Sequence, residues 1–304
     1  AKADDASNDL ALLYGKRRRI TLSPSGPYAE SDFHAPDVSG PRGLAIVGGK
    51  AYIACYYTDN LAIVNLDQEA TRPAQLISLA PRAKMDQARI GEMLFNDARL
   101  CFQQWQSCAS CHPDGRADGL NWDLLNDGVG NGNNVKSMLW ATRTPPMMVS
   151  GIRADAEQAV RSGIRHILFT TRSEEDIQAI SAYLASIKPV PSPKLVNGQL
   201  SESAERGKRL FFSDRIGCYK CHPAPLYTDQ KMHDVASKGD YDDRDDFDTP
   251  TLVECWRTAP YMHDGKYTTL AQLLRVGKHG KKGGDTEGMS DAEMADLIEF
   301  VLSL

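Results

Sequence analysis

Two five-residue units set the strongest limit on what this chain can become: Cys108-Ala-Ser-Cys111-His112 and Cys218-Tyr-Lys-Cys221-His222. In a Cys-x-x-Cys-His unit the two thiols can add to the vinyl groups of a haem while the adjacent imidazole reaches its iron, so both spacing and order matter. A thioredoxin-like pair would need a βαβ setting, and a zinc site would need the two Cys pairs closer together in sequence. The pattern predicts two covalently attached haems of the c type, with His112 and His222 as proximal ligands.

The flanking sequence is duplicated as well. Arg89-Ile-Gly-Glu-Met-Leu-Phe-Asn-Asp-Ala-Arg99 parallels Glu205-Arg-Gly-Lys-Arg-Leu-Phe-Phe-Ser-Asp-Arg215, and each reads as a helix leading into a Cys-x-x-Cys-His unit. Ser173, followed by three acidic residues and by Ile177, Ile180 and Leu184 on one face, predicts a capped amphipathic helix that closes the first unit. Ser290 and Glu293 give the Ser-x-x-Glu signature for a matching helix at the far end. Lys188-Pro-Val-Pro-Ser-Pro-Lys194 reads as a stiff linker between the units, because closely spaced prolines cannot continue a helix.

The first eighty residues have another character. Gly43–Val47, Ala51–Tyr56 and Leu61–Leu66 are β-prone runs separated by Gly48-Gly49-Lys50 and Thr58-Asp59-Asn60. They predict a meander resembling one blade of a β-propeller, whose open edge something must cover.

Charge and cysteine usage exclude several classes of function. The 304 residues carry a net charge of −5, and Lys16-Arg17-Arg18-Arg19 is the one short basic run, so no nucleic-acid footprint is present. No apolar stretch approaches the ~20 residues that cross a bilayer. Seven cysteines are an odd number, which argues against a closed disulfide framework; Cys55, Cys101 and Cys255, outside the haem units, read as small buried hydrophobes. Covalent haem assembly without a membrane span points to an exported, periplasmic protein.

The paired Gly-x-x-Leu-Phe and Cys-x-x-Cys-His-Pro segments, with Thr249-Pro-Thr-Leu252 and Thr258-Ala-Pro-Tyr-Met-His-Asp-Gly265, resemble the bacterial di-haem cytochrome c peroxidase superfamily that includes the MauG-type enzymes. The resemblance implies a mainly α fold of two cytochrome c-like haem domains, residues 85–194 with the peroxidatic haem and 195–304 with the electron-transfer haem, plus the small N-terminal β-meander in residues 1–84. Hydrogen peroxide would react at the His112 haem. Electrons would come through the His222 haem from a small redox protein, a cytochrome c or a cupredoxin, or from a side chain of a protein substrate. A non-catalytic electron-transfer cytochrome is the alternative, and homodimers occur in the superfamily.

The resemblance also implies site residues. A distal acid/base belongs near Gly163–Phe169, where His166 is the titratable candidate and Glu157 the fallback carboxylate. The second haem lacks the Met or Tyr that relatives place after the His-Asp-Gly turn, and His279 is offered instead as its second axial ligand, ahead of Met262 and Met289. Trp256, then Trp140 and Trp122, are the aromatic relay candidates. A structural calcium is implied between the domains, held by an Asn at 133 or 134, taken as Asn134, and by Thr258 and Pro260. The acidic run Gly239–Asp248 lacks the EF-hand's central Gly and closing Glu and reads as a solvated loop.

Overall fold

The β-prone runs pair in chain order. In the computed structural model, which describes residues 20, 22–23, 36–66, 74–81, 84–124, 128 and 130–304, strands β1 (Pro41–Val47), β2 (Lys50–Cys55), β3 (Asn60–Asn65) and β4 (Gln75–Ser78) form one antiparallel sheet in the order β1-β2-β3-β4. The Lys16–Arg19 run and His34 lie outside the described residues. Gly48 and Gly49 make the two-residue β1–β2 turn at φ +54 and +71, the left-handed values such a hairpin needs. The meander therefore has four strands rather than three, and β4 is too short and too polar at its ends to announce itself. Ala51, Cys55, Ala62 and Val64 bury one face against Ile20, Leu22 and Val38, whereas every residue of β1 is exposed.

The chain divides into two compact units, Ala1–Met85 and Asp86–Leu304. The second is mainly α, and the described residues of the chain hold seven α-helices, all within it. Helix α1 (Gln87–Phe95) leads to α2 (Cys108–Cys111), α3 (Ala156–His166) and α4 (Glu174–Ser186); α5 (Glu202–Phe211) leads to α6 (Leu270–Arg275) and α7 (Asp291–Leu302). The predicted caps form: Ser173 accepts from the Asp176 N–H, and Ser290 and Glu293 make a reciprocal capping box.

Two helix pairs build the core, α1 on α4 and α5 on α7. Each pair meets at a glycine of the repeated segment. An ideal Cβ on Gly91 would lie 1.8 Å from the Ala179 carbonyl oxygen, and one on Gly207 would lie 1.9 Å from that of Asp296, so only glycine permits this backbone approach. Around the second contact Phe211 and Phe300 pack edge to face, with ring centroids 5.2 Å apart.

The duplication extends further than the sequence comparison of the two halves reached. Isolated bridges Met147↔Arg153 and Tyr261↔Tyr267 close equivalent turns, with Met148 and Met262 at φ +72 and +76 and Gly151 and Gly265 both at φ +64. Each turn delivers the chain to a capped helix, α3 behind Asp155 and α6 behind Thr269. The Pro-rich segment between the halves is pinned at both ends: the Val190 N–H donates to Glu254 at 2.6 Å and the Ser192 hydroxyl to the Leu302 carbonyl at 2.6 Å.

Candidate functional site

The two Cys-x-x-Cys-His units adopt the same local arrangement. His112 Nδ1 lies 3.0 Å from the Arg116 carbonyl, and His222 Nδ1 lies 2.9 Å from that of Tyr227. A carbonyl can only accept, so each Nδ1 carries the proton and each Nε2 keeps its lone pair for a metal. Asp118 N–H donates to the Cys111 carbonyl at 3.0 Å, and Asp229 N–H to that of Cys221 at 2.9 Å, folding both loops back over their cysteines. Burial lowers the pKa of both imidazoles, which holds them in the neutral, ligating form. The thiols of Cys108 and Cys218 are likewise pushed up by burial, to about 12. Paired thiols beside an Nε2 lone pair fit covalent haem attachment at both places.

Beside the first unit lies a cavity of ≈ 240 Å³ bounded by Cys108, Cys111 and His112. Helix α3 lines it with Ala156, Ala159, Val160, Gly163 and Ile164, and Gln106 enters from the loop before α2, its amide fixed to the Ile167 carbonyl at 3.1 Å. His112 is the one histidine in this lining. His166, expected here as the distal acid/base, is exposed at the end of α3 and does not line the cavity. Glu157 is no closer to that role: it pairs on the surface with Arg161, which also binds Glu174. Neither side chain reaches the cavity, because the stripe of α3 that lines it passes through small and apolar residues.

The cavity's cationic side chain is Lys136, paired with Asp248. Asp248 is buried, and burial raises its carboxyl pKa against the lowering effect of Lys136. The run 239–248 is accordingly not a simple solvated loop. Asp242 accepts from His263 Nε2 and from the Asn131 amide, both at 2.8 Å, while the His263 ring stacks on Phe247 at 3.8 Å. Neither Gln106 nor the Lys136–Asp248 pair carried a sequence signal, because no motif marks a contact made 112 residues apart.

At the second unit the structure brings His279 to His222: burial, and then the proximity of His222, push the His279 pKa down to about 4, and its Nδ1 is buried without a hydrogen-bond partner among the described residues. An orphaned, neutral imidazole within electrostatic reach of the proximal one has the chemistry of an iron ligand. Met289 instead sits in the core with Phe300, and Met262 packs near Leu270 and Cys255.

The remaining candidates are dispersed. Trp256 has a buried indole N–H without a partner among the described residues, and Arg257 lies 5.3 Å from its ring. Trp140 lies under Arg143, and Trp122 lines the cavity with its indole N–H on Asp118. Asn134 meets Pro260, its amide donating to that carbonyl at 2.6 Å, and its Oδ1 is buried and without a partner among the described residues. Thr258 turns its hydroxyl to the Cys255 carbonyl. Cys55, Cys101 and Cys255 are all buried, as expected.

Comparison with known proteins agrees with this geometry. A family model described as di-haem cytochrome c peroxidase matches residues 85–192. Hydrazine synthase subunit gamma of Kuenenia stuttgartiensis is 28% identical over 276 residues, spanning 73% of this chain and 78% of the relative. Methylamine utilization protein MauG of Methylophilus methylotrophus is 29% identical over 280 residues, spanning 72% and 82%. Among solved structures, Kuenenia stuttgartiensis hydrazine synthase superposes with a TM-score of 0.65 at 25% identity, covering 74% of this chain and 89% of that one. A MauG-like protein associated with microbial copper homeostasis shares the fold, with a TM-score of 0.57 at 21% identity over 75% and 91%.

Proposed function

We propose that the chain is a member of the di-haem cytochrome c peroxidase family, which includes the MauG proteins, and a periplasmic oxidoreductase built from two cytochrome c-like haem domains, residues 85–194 and 195–304. Bound at Cys108/Cys111 and Cys218/Cys221, the haems supply the redox chemistry: reduction of hydrogen peroxide at the His112 site with electrons relayed through the His222 site. The observation that carries this reading is an asymmetry between similar proximal loops. One proximal histidine borders a cavity with no second histidine in its lining, and the other lies within electrostatic reach of the buried His279.

The chain's own side chains would then divide the work. His112 and His222 present Nε2 because their Nδ1 protons are held by backbone carbonyls. Lys136 at the cavity wall, with Asp248 paired behind it, would hold a proton there, taking the role expected of His166. The apolar stripe of α3 limits water beside it. Trp256, with its uncommitted indole N–H, is the relay candidate between the halves. Asn134 Oδ1 with the Pro260 and Thr258 carbonyls is an oxygen set of the kind calcium takes, once the Asn134 amide turns from its bond to Pro260. The electron source is a small redox protein or a protein substrate.

Stopped-flow mixing of the ferric holoprotein with stoichiometric peroxide, with electron paramagnetic resonance of both haems, tests the reading. It expects one high-spin haem that responds rapidly and one low-spin haem that becomes high-spin in His279→Ala. Two low-spin haems inert to peroxide, before and after reduction, would leave an electron-transfer cytochrome. A second reading, a subunit of a larger redox assembly, is favoured by the hydrazine synthase subunit among the relatives. Native mass by light scattering, as monomer, homodimer or hetero-complex, separates the two.

A further inference from the structure

The two haem loops differ in what holds the carbonyl that orients the proximal imidazole. In the second loop that carbonyl belongs to Tyr227, whose ring packs against Phe211 and Phe300 at 5.9 and 6.4 Å between centroids. In the first it belongs to Arg116, whose side chain is held by charge. The Arg116 guanidinium donates from Nε and Nη2 to the two oxygens of Glu254 at 2.9 and 2.7 Å, from Nη1 to the Asp114 carbonyl at 2.8 Å, and from Nη2 to the Lys188 carbonyl at 2.9 Å. The paired side chains are only 10% and 1% exposed. Glu254 also accepts from the Val190 N–H, and it sits at φ +62, a left-handed conformation that a non-glycine residue keeps only where its contacts hold it.

This fork is a bidentate pair of the strong, geometrically specific kind, buried and with both carboxylate oxygens used. It joins residues 138 positions apart, one in the first haem loop and one in the second half beside Trp256. A hydrogen bond to the outer nitrogen of a metal-bound imidazole fixes ring orientation and raises ligand basicity, which favours the ferric state. We propose that Arg116 and Glu254 are positioning residues for His112: the bridge between the halves sets the His112 Nδ1–H···O=C bond and so tunes the first haem independently of the second. The inference rests on the reading that haem is attached at Cys108 and Cys111.

The test compares Glu254→Gln and Arg116→Lys holoproteins with the parent. Haem staining after denaturation comes first, and fewer than two covalent haems in the parent would defeat the underlying reading rather than the bridge. Optical redox titration then gives each haem's midpoint, and resonance Raman of the ferrous protein gives the iron–histidine stretch. The expected result is a tenfold change in the first haem's ferric/ferrous ratio, a positive shift of ~59 mV for one electron, with a weakened iron–histidine band and the second haem unmoved. An unmoved first haem in both variants, or equal shifts at both haems, overturns the proposal. Loss of folded holoprotein in both variants, seen by circular dichroism, assigns the bridge to stability alone and overturns it too.

Discussion

Replacing Gly91 or Gly207 by alanine should destabilise the holoprotein even though alanine is the better helix former. Both glycines sit inside regular helices, so propensity alone favours alanine by ~1 kcal/mol. Against that gain, the new Cβ would lie 1.8 Å from the Ala179 carbonyl oxygen or 1.9 Å from that of Asp296. Those acceptors belong to the backbone of α4 and α7 and cannot rotate aside, so the helices must part by roughly 1.5 Å to reach van der Waals contact. A gap of 0.5–1 Å already forfeits about a quarter to a half of each contact's attraction. Overpacking of this kind costs about 1–3 kcal/mol and occasionally more. With backbone as the obstacle the upper end applies, and the net loss is about 2 kcal/mol for each variant, equal within error because the two distances match. Urea unfolding followed by Soret absorbance and far-ultraviolet circular dichroism measures it. A midpoint at or above that of the parent in either variant, with unchanged slope, would refute the claim that these helix pairs meet backbone to backbone.

Two further outcomes follow from the site. His166→Ala should leave peroxide turnover within about twofold, because general acid–base groups that act directly contribute about a hundredfold or more and this side chain is exposed outside the cavity; a hundredfold loss in steady-state rate would restore it as the distal group. Burial pushes the Glu254 carboxyl up, but the bonds from Arg116 and Val190 outweigh burial and hold it below its ordinary value. A depressed carboxylate contributes stability above its unfolded pKa and loses it as pH falls through the folded value, so Glu254→Gln should flatten the acid limb of stability below about pH 4.5. Parallel urea-midpoint profiles from pH 3 to 6 in parent and variant would contradict this.

Local chemistry was legible in the sequence and long-range pairing was not. The haem units, the caps at Ser173 and Ser290 and the Gly48-Gly49 turn are each set by residues within a few positions of one another, so a linear reading finds them. His279 was singled out because a histidine stood where relatives place a ligand, and it is buried within electrostatic reach of His222. His166 was misplaced for the converse reason: nearness in sequence to α3 does not say which side chains turn inward, and the cavity stripe passes through Ala159, Val160, Gly163 and Ile164. The Arg116–Glu254 and Lys136–Asp248 pairs join positions 138 and 112 residues apart, and nothing in either local sequence marks its partner.

The pinned Pro-rich segment bears on how such proteins can be recombined. A repeat that bears two cofactor sockets looks like two exchangeable parts joined by a spacer, and a cut near Pro191 looks harmless. Yet Lys188 and Val190 supply an acceptor and a donor to the Arg116–Glu254 fork, and Ser192 ties the same segment to Leu302 at the end of α7. Cut at that point, the first half would keep Arg116 with its Asp114 and Lys188 carbonyls but without its counter-charge, and the second would keep Glu254 with neither Arg116 nor the Val190 N–H. The repeated halves are tied into one piece by these bonds, and a graft that preserves function has to carry the strap with both.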